Sequence, residues 1–130
     1  MSQQKIVNLK NATTRLIEAV ENFNTDRSNT FSRDALIQRF EFSFELAWKC
    51  LMDYIIQQGM RVEQKMPRPV LKDAYSAGII TDENLWLEIL QSRNLMSHIY
   101  DEGTANKIAD DIAKNYAFAI QALCKMLSKV

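Results

Sequence analysis

Glycine and proline are scarce. Three glycines and two prolines occur in 130 residues, where average usage of about 12% would supply roughly 16. A sandwich or barrel needs a turn about every 8–12 residues, built mostly from those residue types, so an all-β domain is close to excluded. An excess of charge of one sign is also missing, since Lys+Arg 16 balances Asp+Glu 16. A protein held to nucleic acid mainly by phosphate neutralisation carries a basic surplus; any such contact here must come from a local site. Histidine occurs once and cysteine twice, with no Cys-x-x-Cys pair, so no zinc site built within one protomer and no metal or cofactor is expected. Cys50 and Cys124 fall in apolar helical stretches and read as small buried hydrophobes. No run of about 18 apolar residues and no basic segment leading into a signal-type apolar stretch is present. The expected location is therefore cytoplasmic, with no membrane partner. Scattered glycines also leave no P-loop or dinucleotide fingerprint.

What the chain has in quantity is apolar residues at helical spacing. The length fits one domain over residues 1–130. Ile6, Leu9, Thr13, Leu16, Ile17, Val20 and Phe23 mark a first amphipathic helix over about residues 3–24. Asn22 to Thr30 is polar and reads as a loop. A second helix is expected from Ser32, a candidate N-cap, to Gly59, a candidate C-cap. Its apolar residues form one seam through Leu36, Phe40, Phe44, Ala47, Leu51 and Ile55, and also spread through Ile37, Phe42, Trp48, Met52 and Ile56. A helix apolar over most of its circumference is covered on more than one side, which points to a partner subunit. Residues 61–66 read as a charged loop, and Pro67 and Pro69 suit the start of a short helix ended by Gly78. Thr81 or Asp82 caps the next helix, which runs to about Ser97. After a break at Asp101–Gly103, Ile108, Ile112, Tyr116, Ala119, Leu123, Leu127 and Val130 mark the last. The expected fold is all-α: an antiparallel up-and-down bundle of four main helices plus a short one, forming a homodimer.

Most titratable residues read as solvated helix faces. Glu41, Glu45 and Lys49 are spaced i, i+4, i+8, with Glu45 correctly N-terminal to Lys49 for a weak ion pair. One stretch differs: Arg93-Asn94-Leu95-Met96-Ser97-His98-Ile99-Tyr100 gathers an arginine, an asparagine, a tyrosine and the one histidine near a helix end. Asn94 and His98 are i, i+4 neighbours. Arg93 and His98 are five apart, about 140° around an ideal helix, and converge only if the helix distorts or a partner chain brings its own copies close. Spacing alone leaves open a helix end with polar caps. Histidine titrates near neutrality and serves as acid or base, and the Arg93 guanidinium fits phosphate oxygens.

Arg93-x4-His98-x-Tyr100 resembles the Arg-x4-His-x-Tyr motif of HEPN-domain proteins, and Asn94 fits a common variant. Arg39-Phe40-Glu41-Phe42-Ser43-Phe44-Glu45-Leu46-Ala47-Trp48-Lys49 resembles the long-helix pattern of the branch named nucleotidyltransferase substrate-binding proteins. Pro67-Arg68-Pro69-Val70 through Ala74, Gly78, Ile79 and Ile80 is similar to that branch's short helix. The resemblance implies a dimerising bundle whose two motif copies line one cleft. It implies a metal-independent ribonuclease toxin with Arg93 and His98 as catalytic residues and Asn94 in support. It also implies a cognate minimal nucleotidyltransferase that silences the toxin by transferring AMP to Tyr100. Other members of the branch are non-catalytic substrate- or nucleotide-binding accessories, so both functions stay open at this point.

Overall fold

A computed structural model describes residues 3–98 and 101–129, and the side chains of all of these except Ser97 and His98. The described secondary structure is entirely helical: α1 (Gln3–Thr25), α2 (Thr30–Gln57), α3 (Pro67–Ser76), α4 (Glu83–His98), α5 (Glu102–Asp111) and α6 (Ala117–Ser128). A π-helical turn, Ile112–Tyr116, joins α5 to α6, so the last three segments form one continuous rod. With that rod counted once, the chain is the five-helix bundle its apolar spacing predicts. Val130, expected at the end of the last helix, lies outside the described residues. None of the described helices is long and apolar enough to cross a membrane.

α1 and α2 pack antiparallel along their whole lengths. Asn22 donates to Ser32 beside the turn, the buried Ser43 hydroxyl donates to the Ala12 carbonyl at 3.1 Å midway, and Lys5 pairs with Asp53 at the far end. The turn itself is shorter than the polar run suggests, because α1 continues through Thr25. The cap of α2 is Asn29 and not Ser32. Its side-chain oxygen accepts from the Phe31 and Ser32 amides, which satisfies two donors that the first helical turn leaves without partners. At the other end Gly59 takes φ +86°, with its amide bonded to Ile56 and the Met60 amide to Ile55. Gly78 ends α3 the same way, with φ +76° and Ile79 bonded back to Ala74. Both are left-handed helix stops that a side chain would strain. Asp82, rather than Thr81, caps α4 by accepting from the Leu85 amide. Asp101 caps α5, and Gly103 lies inside that helix instead of breaking it.

α2 is the centre of the bundle, touching α1, α3, α5, the π turn and α6. Leu36, Phe40, Phe44, Ala47, Leu51 and Ile55 are buried as one seam, and Ile37 and Trp48 from the neighbouring faces are buried too. The breadth of its apolar surface is thus mostly covered within the protomer, which corrects the inference that a partner subunit is needed to cover it. Its large apolar residues left exposed are Phe31 in the first turn, Phe42 and Ile56.

The π turn has a packing reason. Ile108, Ile112, Tyr116 and Ile120 are all buried and recur in steps of four. Each such step drifts about 40° at 3.6 residues per turn, and the wider π turn takes up that drift. It places Tyr116 in the core, its ring 5.8 Å from that of Phe40, its hydroxyl donating to Glu88 Oε2 at 2.8 Å and meeting Ser92 Oγ at 3.1 Å. This contact ties α4 to the terminal rod.

Burial pushes the Tyr116 hydroxyl up to about 12, and Glu88 beside it works in the same direction against the Ser92 hydrogen bond. Tyr116→Phe is expected to cost about 1 kcal/mol in urea denaturation at neutral pH, for the lost hydrogen bonds. The folded protein keeps this proton to higher pH than the unfolded chain does. The wild-type advantage over Tyr116→Phe is therefore constant below pH 10 and shrinks as pH rises through about 12. A difference that holds steady across that window would contradict the assignment.

Candidate functional site

α2 faces a broad cleft of about 850 Å³ between itself and α1, and α4 contributes Arg93 to its edge. Arg15 from α1 and Arg39, Glu41, Phe42 and Glu45 from α2 also line it. The exposed Phe42 ring adds an apolar surface among charged groups. Arg39 donates to the Arg15 carbonyl at 2.9 Å and lies 3.9 Å from Glu18.

Glu45, Asn94 and Phe44 all contact Arg93. Its Nη2 donates to Glu45 Oε2 at 2.5 Å, its Nη1 donates to Asn94 Oδ1 at 3.0 Å, and its guanidinium carbon sits 5.9 Å from the centre of the Phe44 ring. The last distance is within reach of a cation–π attraction. Glu45 also meets Lys49, Nζ to Oε1 at 3.4 Å, so the ion pair expected from their i, i+4 spacing is present. Spacing does not reveal that the same carboxylate bridges to α4. Arg93 and Glu45 are 48 positions apart, and only the folded bundle brings them together.

The two carboxyls of this face have opposite characters. Burial raises the Glu41 carboxyl above the usual range, and the charge of Arg93 only partly opposes it. Burial also acts upward on Glu45, but the Trp48 indole N–H, the Arg93 guanidinium and Lys49 outweigh it and leave Glu45 below the usual range. The buried Trp48 Nε1 makes no hydrogen bond of ordinary geometry, so its effect on Glu45 is that of a nearby N–H dipole.

Of the residues singled out by sequence, Arg93 lines the cleft and Asn94 accepts a hydrogen bond from it. The backbone of α4 is helical through His98, which keeps Arg93 and His98 on one element; the His98 side chain and all of Tyr100 lie outside the described residues. The described residues on either side of them make defined contacts. Tyr116 and Glu45 hold α4 at Glu88, Ser92 and Arg93. Beyond it, Asp101 accepts from the Thr104 amide and hydroxyl, contacts that hold its carboxyl below the usual range.

The second set of these contacts has a feature that periodicity does not expose. Arg33 of α2 is 2% exposed, and its guanidinium reaches Glu102 at the start of α5, Asn106 one turn on, and its neighbour Asp34. A polar residue at a core-facing position is the one signal that points to it. No local spacing names Glu102 as its partner, since Glu102 is 69 positions away.

The described residues form a small all-α bundle domain with a cleft lined in part by arginines. The chain matches the family described as "Nucleotidyltransferase substrate binding protein like" over residues 4–129, and it belongs to that family. It is similar to "Probable ribonuclease HepT" of Haemophilus influenzae, 28% identical over 93 residues, a match that spans 67% of this chain and 64% of that relative's length. In three dimensions it resembles the crystal structure of a Thermus thermophilus protein, with a TM-score of 0.80 and 30% identity. That likeness covers 92% of this chain and 98% of the other.

Arg33→Ala is expected to destabilise the fold by about 1.5–3 kcal/mol, the worth of charge-assisted hydrogen bonds to a buried group. Amide exchange at residues 102–105 should accelerate more than in α6. Uniform acceleration across the chain would show that Arg33 supports the whole bundle and not the start of α5.

Proposed function

We propose that the protein is a metal-independent endoribonuclease of a toxin–antitoxin module, acting as a cytoplasmic homodimer under the control of a cognate minimal nucleotidyltransferase. The observation that carries this reading is the placement of Arg93 at the edge of the cleft, on the same helix as the single histidine. Its support from relatives is the family membership and the relative named as a probable ribonuclease.

The chemistry follows from the residue types. The RNA 2′-oxygen attacks phosphorus as its proton passes to a base, and the 5′-oxygen leaves as it gains a proton. The products are a 2′,3′-cyclic phosphate and a 5′-hydroxyl. Histidine fills either proton role, worth about 10²–10⁴-fold, and Arg93 neutralises the charge that builds on the phosphorane. Each chain has one histidine, so two proton-transfer groups of this kind require two protomers sharing one groove. Asn94 supports Arg93 or binds phosphate. AMP on Tyr100 adds an anion and a base beside the motif, which blocks the groove and engages Arg93.

The family's own description favours a second reading, a non-catalytic subunit that presents substrate or nucleotide to the nucleotidyltransferase. The two separate cleanly. On the ribonuclease reading, wild-type protein cleaves RNA in excess chelator, while Arg93→Ala and His98→Ala are inactive but folded, and divalent metal rescues neither. Binding of RNA or nucleotide without turnover, in wild type, favours the accessory reading.

Assembly and control have their own tests. Light scattering at micromolar concentration should give twice the 15.0 kDa chain mass, and a monomer would remove the shared groove. Incubation with the partner nucleotidyltransferase and ATP should add one AMP to the intact mass of wild type and none to Tyr100→Phe. An increment that persists in Tyr100→Phe would move the modification to another residue.

A further inference from the structure

Charge stabilisation by arginine requires the guanidinium to be in place before the charge develops. A free arginine side chain samples many rotamers, and misplacement by about 1 Å costs on the order of 10²-fold in rate. Something must therefore hold Arg93. Asn94 is its immediate neighbour on the same helix and moves with it. Glu45 is different: it comes from α2, the most enclosed helix of the bundle, between the buried Phe44 and Ala47. One of its oxygens meets Arg93 at 2.5 Å and the other faces Lys49 at 3.4 Å. Both partners are half-buried, with side-chain exposures of 26% for Arg93 and 34% for Glu45, so the pair is screened less than one in open solvent.

We infer that Glu45 is a positioning residue, whose carboxylate fixes the guanidinium of Arg93 at the cleft against the Phe44 ring. This inference rests on the ribonuclease reading for its catalytic meaning. Glu45 moves no proton and touches no substrate. It acts through Arg93, and its low-lying carboxyl keeps it charged across the neutral range.

The test combines a signal from Arg93 itself with kinetics on the full chain. In ¹⁵N-labelled protein, with assignment by Arg93→Lys, the Nη hydrogens of Arg93 should give separate, slowly exchanging resonances. In Glu45→Gln, which keeps the shape and removes the charge, they should average. Single-turnover RNA cleavage by Glu45→Gln should fall about 10–100-fold, with KM nearly unchanged, the pattern of an interaction that matters in the transition state. Glu45→Asp should recover part of the rate. Glu63→Gln, a charge change on the exposed loop after α2, should leave both readouts as in wild type. Should Glu45→Gln fail to fold, Glu45→Asp supplies both readouts with the charge retained and the carboxylate withdrawn, and its Arg93 resonances should broaden toward averaging. Unaltered Arg93 resonances in a folded Glu45 variant, or a loss expressed mainly in KM, would overturn the inference. If wild-type protein cleaves no RNA, the ribonuclease reading fails, and the Arg93 resonances still decide whether Glu45 holds the guanidinium.

Discussion

The enclosure of α2 constrains everything else in this protein. α1, α3, α5, the π turn and α6 all pack against it, so its rotation about its own axis is fixed by core residues on several sides. Phe40 and Phe44 turn inward while Glu41 and Glu45, from the same turns, face the cleft. The consequence is mechanical as well as energetic. A carboxylate on this helix has little freedom to drift, so the arginine it binds is located relative to the core and not only to its own helix. Truncating a buried aromatic such as Phe44 would cost about 3–5 kcal/mol in an ordinary core, and here it would also remove the ring beneath Arg93.

α4 depends on that frame. It packs on α3 and buries Trp86, Ile89 and Leu90 in the core, and polar contacts add to this packing: Tyr116 to Ser92 and Glu88, and Glu45 to Arg93. Arg33 and Asp101 then fix the chain where it re-enters the bundle as α5. Polar contacts at defined positions, added to the apolar packing of α4 and α5, set the geometry on both sides of the motif. Directional bonds give orientation where apolar packing mainly gives cohesion.

Much of the architecture is legible in the sequence because the apolar period is strong. The helix count, the proline start of α3 and the glycine stops at Gly59 and Gly78 follow from local chemistry. The start of α2 is harder to read, because Asn29 and Ser32 are both good caps. The first apolar residue after Asn29, Phe31, is exposed, so periodicity begins only near Leu36. Gly103 has the look of a break, yet near a helix N-terminus a glycine costs little when Asp101 already supplies the cap. Nothing in Ile112–Tyr116 announces a π turn, since its residues suit any helix; only the run of four-residue steps hints at it. Arg93 stands out in the motif. The roles of Glu45 and Arg33 do not, because each depends on a partner far along the chain that only the packed bundle brings near.

In the proposed mechanism two protomers each supply a histidine to one groove, and every other catalytic assignment depends on that sharing. A dimer purified with one wild-type and one His98→Ala protomer, through two different tags, tests it most directly. Two histidines acting on one phosphate predict that this mixed dimer cleaves RNA no faster than the His98→Ala homodimer. Half of the wild-type rate would contradict the account and make each protomer an independent site.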